Sequence, residues 1–275
     1  MCKMVKFLIT IAVGYVVICL LMYLSQRHFI YFPDDHLAKP ALFEEVVLTT
    51  PDGLQLVAWY VPAKLKQPTM IYFHGNGGTI KMRENSAKPY LDCGMGVLLV
   101  EYRGYGGNPG KPNEVGLYND GEAAYQFARQ QGIPADHIIL FGESLGSGIA
   151  VEIAKRYPVG GVILQAPFIS AAAIGQKRYP YLPVGLLLKD RYQSIDKIQQ
   201  INAPLAIVHG TADGVVPIEQ GQALFLQANQ PKQFFKYLGY GHSNFDPKTV
   251  ANDVLVFFQQ QPHLIEIKTC PINLN

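Results

Sequence analysis

The chain has 275 residues, with 23 Lys+Arg against 21 Asp+Glu and a formal net charge of +2. That length suits one large α/β domain or at most two small ones, and a charged fraction of 16%, below the ~25% usual for soluble domains, excludes intrinsic disorder as the main state. The near-neutral balance without a long basic run argues against nucleic acid as a partner, and Cys2, Cys19, Cys93 and Cys270 have neither the pairing nor the spacing of a disulfide framework or zinc ribbon.

From Phe7 to Leu24 the sequence carries no charge. As a helix this run would span about 27 Å, against roughly 30 Å of bilayer hydrocarbon. Lys3 and Lys6 precede it, and Arg27 and His28 follow, as interfacial anchors would. A cleaved signal peptide needs a shorter apolar stretch and a small-x-small site, which Ser25-Gln26-Arg27 does not offer. A buried core helix at this position would not be apolar on every side. Residues 1–32 therefore read as an uncleaved single-pass membrane anchor (apolar run 7–24) and its connector. The flanking charges lean towards an extracytoplasmic domain.

The rest divides into a domain over 33–262 and a tail over 263–275. Phe43–Thr50 and Leu54–Val61 flank the turn signal Pro51-Asp52-Gly53 and predict an antiparallel hairpin. Met70–Phe73, Val97–Tyr102, Ile138–Phe141, Val162–Leu164, Leu205–Val208 and Phe234–Leu238 read as buried strands. Helical patterns over Glu114–Gln131, Leu145–Tyr157, Pro217–Ala228 and Thr249–Gln261 separate several of them. Such alternation predicts an α/β fold with a mostly parallel sheet, helices on both faces and the hairpin at one edge. The stretch 168–201 is too long for an ordinary connection and reads as a small cap, whose Tyr181, Leu182, Leu186, Leu187 and Leu188 would line an apolar pocket.

Gly142-Glu143-Ser144-Leu145-Gly146 fits G-x-S-x-G where a strand is predicted to give way to a helix. A sharp turn there would lift the Ser144 hydroxyl clear of the sheet at the positive end of a helix, with Gly142 and Gly146 leaving room for the turn. A serine hydroxyl needs a base, and the base needs an orienting carboxylate. Downstream of Ser144, His242 lies in a loop after one predicted strand and Asp213 in a loop after another. Loops at the carboxyl ends of parallel strands converge, so Ser144, Asp213 and His242 are expected to meet. His209 is expected to brace the acid loop, Asp246 to cap the last helix, and His74 to bond within its own loop. His263 is given no role. Backbone N–H groups of Asn76, in His74-Gly75-Asn76-Gly77-Gly78, and of Leu145 would hold a tetrahedral oxygen. Gly106–Pro112 misses the spacing of a phosphate loop, and HExxH and EF-hand patterns are absent from the sequence. Neither a cofactor nor a metal is expected.

Together with Gln26–Pro33, Phe73–Gly77, Tyr102-Arg103-Gly104-Tyr105-Gly106, His209–Asp213 and Gly241-His242, the serine motif resembles the α/β-hydrolase superfamily over roughly residues 26–260. The likeness is greatest to small membrane-tethered serine hydrolases related to protein depalmitoylases and serine aminopeptidase-like hydrolases. The resemblance implies an α/β-hydrolase fold, a Ser144–His242–Asp213 triad and oxyanion donors at Asn76 and Leu145. It leaves the substrate open, because the fold serves esters, thioesters and amides. The leading expectation is a membrane-anchored serine hydrolase cleaving carboxylic esters or thioesters of a small-molecule or acylated substrate through an acyl-enzyme. A peptidase for short peptides and a non-catalytic binding scaffold are the alternatives.

Overall fold

The structure, a computed structural model, describes residues 3–36, 38–64 and 67–261. His263, Cys2, Cys270 and the tail 263–275 lie outside the described residues.

Helix α1 (Lys3–Ser25) is followed by a short strand β1 (Phe32–Pro33) and the hairpin β2 (Glu44–Thr49) and β3 (Gln55–Val61). Next come β4 (Thr69–Phe73), the short β5 (Gly77–Gly78), α2 (Glu84–Asp92), β6 (Gly96–Val100) and α3 (Glu114–Gln130). Strand β7 (Ile138–Glu143) runs into α4 (Leu145–Arg156), and β8 (Gly161–Gln165) leads to the cap helices α5 (Ala171–Arg178) and α6 (Val184–Leu187). The chain closes with β9 (Leu205–Gly210), α7 (Ile218–Gln227), β10 (Lys232–Tyr237) and α8 (Pro247–Gln259). Eight strands form one sheet in the order β10-β9-β8-β7-β4-β6-β3-β2. Its pairs are parallel from β10 to β6, and β3 pairs antiparallel with both β6 and β2.

The strand period of two sorts the apolar side chains onto two cores. Ile71, Phe73, Leu140, Leu164 and Ile207 face one way, against Leu117 and Ala124 of α3, Ile149 and Ile153 of α4 and Leu224 of α7. Met70, Tyr72, Ile139, Phe141 and Val208 face the other, against Tyr90 of α2 and Val250, Val254 and Phe258 of α8. Both faces being covered explains why these strands read as continuous apolar runs. Helix α2 has no counterpart in the predicted elements. It contains Pro89, and only Ala87, Pro89 and Tyr90 are buried in it, too few for a visible period.

The segment expected as a connector is part of the fold. Phe32 and Pro33 pair with Gly77 and Gly78, and the Tyr31 hydroxyl meets that of Tyr192 at 2.8 Å. Before them, Gln26 donates to Leu187 O (3.1 Å) and accepts from Lys189 N (2.7 Å), while Arg27 Nε donates to Asp190 Oδ2 at 2.8 Å. Helix α1 itself buries none of its residues, and it is one helix, among the described residues, long and apolar enough to cross a membrane.

Candidate active site

Strand β7 is central, and its carboxyl end turns directly into α4 at Ser144, whose φ of 48° and ψ of −112° lie outside the ordinary regions for a side-chain-bearing residue. The turn is held by Ser144 N donating to Gln165 O at 2.9 Å and by Ser147 Oγ donating to Ser144 O at 2.6 Å. Space explains the two glycines of the motif. A Cβ on Gly142 would lie 2.6 Å from Gly146 O across the turn, whereas one on Gly146 would strike Phe73 O at the end of β4. Gly142 thus closes the turn, and Gly146 lets α4 start tight against the neighbouring strand.

Ser144, His242 and Asp213 come together as expected. His242 Nε2 lies 2.9 Å from Ser144 Oγ, and His242 Nδ1 lies 2.8 Å from Asp213 Oδ2. The other Asp213 oxygen accepts from Val215 N (2.9 Å) and Val216 N (2.8 Å), and its side chain is fully buried. Burial alone would raise its pKa, yet the hydrogen bonds from His209 and His242, with that from Val216 N, hold the Asp213 carboxyl well below the usual carboxylate range. An ionised carboxylate only accepts, so Nδ1 of His242 carries the proton and Nε2 presents a lone pair to the Ser144 hydroxyl.

The supporting residues fall where their types suggest. His209 donates Nε2–H to Val216 O at 2.9 Å and lies 3.5 Å from Asp213 Oδ2, bracing the acid loop. Asp246 caps α8 by accepting from Thr249 N at 2.9 Å. His74 is buried, with Nδ1 2.7 Å from Gly75 O and Nε2 3.1 Å from Glu101 Oε1. Among the described residues no group of three or more His, Cys, Asp or Glu side chains converges in a way that could hold a metal ion.

Asn76 lies beside the serine, and Asn76, Ser144 and Leu145 border one cavity together. Three hydrogen bonds fix it: Nδ2 donates to Ile30 O (2.8 Å), and its carbonyl accepts from Phe32 N (2.9 Å) and from the Tyr105 hydroxyl (2.8 Å). The neighbouring carbonyl of His74 accepts from the Tyr102 hydroxyl at 2.8 Å. The Tyr102–Gly106 and Gln26–Pro33 stretches therefore have a physical role that their composition did not reveal: they hold the Asn76 loop in place.

Sequence reading also missed Glu143, the variable residue of the motif. Its carboxylate accepts from Arg83 Nη2 (2.9 Å), Arg83 Nε (3.2 Å) and the Tyr72 hydroxyl (2.8 Å). Burial opposes its ionisation, but the charge and hydrogen bonds of Arg83, with the Tyr72 bond, hold its pKa below the ordinary value. Arg83 lies in a turn with no motif of its own, so only its contact with Glu143 marks it.

Two cavities meet at Ser144 and Asn76. One, of about 330 Å³, is bordered by Arg83, Glu143, Gln165, His242 and Ser243 as well as Tyr90, Phe141 and Phe245, and mixes polar and apolar surface. The other, of about 770 Å³, runs under the cap between Phe168, Ile174, Leu182, Val184, Leu187 and Leu188 on one side and Met22, Phe29 and Ile30 on the other. Two of the expected lining residues do not line it: Tyr181 is 87% and Leu186 83% exposed.

Known proteins share this framework. The family model described as serine aminopeptidase, S33, matches residues 66–187, which include the Asn76 loop and the Ser144 turn but neither Asp213 nor His242. The chain is 37% identical over 240 residues to the uncharacterized protein Rv2307c of Mycobacterium tuberculosis, covering 84% of this chain and 85% of that one. To alpha/beta hydrolase domain-containing protein 17B of Xenopus laevis it is 32% identical over 187 residues, 65% of this chain and 61% of that one. Among solved structures, the Pyrococcus furiosus esterase PF2001 aligns with a TM-score of 0.67 at 17% identity, over 84% of this chain and 97% of that one.

Proposed function

The chain belongs to the α/β-hydrolase superfamily, and from that premise we propose that it is a membrane-anchored serine hydrolase that cleaves carboxylic esters or thioesters through an acyl-enzyme. The observation that carries this reading is the unbroken relay from Ser144 Oγ through His242 to the buried Asp213, at 2.9 and 2.8 Å.

In this mechanism His242 Nε2 takes the hydroxyl proton as Ser144 Oγ attacks the acyl carbon, and Asp213 stabilises the imidazolium that forms. The N–H groups of Asn76 and Leu145 stabilise the tetrahedral oxygen, a contribution of about 2.7–4 kcal/mol per donor. His242 then protonates the leaving group, which departs through the smaller cavity beside Arg83 and Glu143. Water, activated by the same imidazole, releases the acyl group from Ser144. The apolar walls of the larger cavity suit a hydrocarbon acyl chain, and α1 suits a protein that works at a bilayer.

The peptidase alternative draws on the description of the matched family model. A free amine terminus would need an unpaired carboxylate, but Glu143 is held by Arg83 and the larger cavity presents Lys177 and Arg178. A fluorophosphonate probe distinguishes an enzyme from a binding scaffold. Labelling of the wild type and not of Ser144→Ala supports the proposal, and an unlabelled wild type with a verified open site refutes it. A panel of acyl esters beside aminoacyl amides separates the two enzymatic readings.

A further inference from the structure

The cap is fastened to α1 far above the helix end. The Tyr15 hydroxyl, in the middle of the apolar run, donates to Tyr181 O at 2.9 Å. Lower down, Lys189 Nζ lies 4.0 Å from the centre of the Tyr23 ring, and Gln26 bonds Leu187 O and Lys189 N. Tyr15 precedes the helix end at Ser25 by about 15 Å at the usual rise per residue. If Phe7–Leu24 spans roughly 30 Å of hydrocarbon, the tip of the cap lies at the depth of the lipid chains, while Gln26 marks the headgroup level.

Hydrocarbon demands that the backbone polar groups of a non-helical segment be satisfied within the protein, and most of those at the tip are. Pro180 and Pro183 carry no N–H. Leu182 N donates to Tyr179 O, and Leu186 N and Leu187 N donate to Pro183 O. Pro180 O accepts from Gln176 Nε2, Gly185 O from Arg191 Nη2 and Tyr181 O from Tyr15. Outward from this backbone stand the exposed side chains of Tyr181 and Leu186. The cations that flank the tip, Lys177, Arg178, Lys189 and Arg191, can extend their stems along apolar surface and leave their charges towards the headgroups.

We propose that the tip of the cap, residues 179–187, inserts into the membrane beside α1, so that the cavity between Met22, Phe29 and the cap opens to the bilayer and receives the acyl chain of a membrane lipid or lipid-modified substrate laterally from it. Met22 and Phe29 come from the anchor and its extension, while Leu182 and Leu187 come from the cap, so the membrane helix forms a wall of the acyl site. The part concerning the acyl chain rests on the hydrolase reading above; the insertion does not.

The test uses the full chain in phosphatidylcholine vesicles, with or without bromine on the acyl chains. Trp59, the single tryptophan, is fully buried and supplies the background. In Tyr181→Trp the added indole should emit as in an apolar medium and be quenched by the brominated chains. Added emission that is water-like and unquenched overturns the insertion. In parallel, Tyr181→Asp combined with Leu186→Asp should leave hydrolysis of water-soluble p-nitrophenyl acetate unchanged but reduce turnover of a long-chain ester held in the vesicles about tenfold, since charge is disfavoured in hydrocarbon. An unchanged ratio of the two activities overturns lateral delivery. Quenching in a protein that hydrolyses no ester and takes no fluorophosphonate would sink the hydrolase reading alone, and ester hydrolysis without quenching would sink the insertion alone.

Discussion

On the sheet side of Ser144, the groups that would move a proton or hold charge are tied to the fold by short bonds: Asp213 to Val215 N, Val216 N and His242, and Asn76 to Ile30, Phe32 and Tyr105. On the cap side, the cavity is walled mainly by apolar side chains from α1, the residues after it, α5, α6 and the loop around Phe168, and polar bonds such as those of Gln26 to Leu187 and Lys189 fasten its walls together without reaching the reacting groups. The first half is built for one geometry, which proton transfer requires. The second is built for volume and apolar surface, which set what fits rather than how it reacts. Damage to the first half should remove activity, and damage to the second should redirect it.

The largest expected effect is that of Ser144→Ala, about a millionfold loss in kcat with an unchanged melting temperature, measured on a p-nitrophenyl ester. Asp213→Asn comes next. An amide can donate to Nδ1 and trap the wrong tautomer of His242, so kcat should fall about ten-thousandfold. Asp213 also carries a pH signature. Its carboxyl is held below the usual range, so the stability it contributes is fully present above the unfolded value of about 3.9 and is lost as pH falls through the lower folded value. Acid denaturation should therefore show a component below about pH 4 that Asp213→Asn lacks.

Smaller effects sharpen the contrast. Gly146→Ala would push a methyl into Phe73 O and should cost about 1–3 kcal/mol of stability, read from urea unfolding, together with activity on every chain length. Leu187→Trp fills part of the larger cavity instead. It should spare short esters and lower kcat/KM for long ones about tenfold, the value of one or two buried methylenes. Equal losses across chain lengths would break the division between the two halves.

That division also separates what could be read in the residues from what could not. The strands are apolar runs because both faces of the sheet are covered, and G-x-S-x-G is a local steric requirement, so the fold and Ser144 are legible in short stretches. Asp213 and His242 are legible because both follow strands that parallel topology brings to one edge. Arg83 with Glu143, the grip of Tyr105 and Phe32 on Asn76, and the outward aim of Tyr181 and Leu186 were not. Each depends on partners distant in sequence or on the direction of a cap that no periodicity encodes. Helix α2 was hidden for another reason: a proline and a narrow buried face erase the helical pattern.

The most direct measurement is trapping of the acyl-enzyme. The full-length protein is mixed with a long-chain p-nitrophenyl ester, quenched in acid within the first turnover and digested, and the peptide containing Ser144 is weighed. The mass of one acyl group on Ser144, appearing with a stoichiometric burst of p-nitrophenol and absent in His242→Ala, is the expected result. Steady turnover with Ser144 unmodified at every quench time, or with the acyl group on another residue, would contradict it.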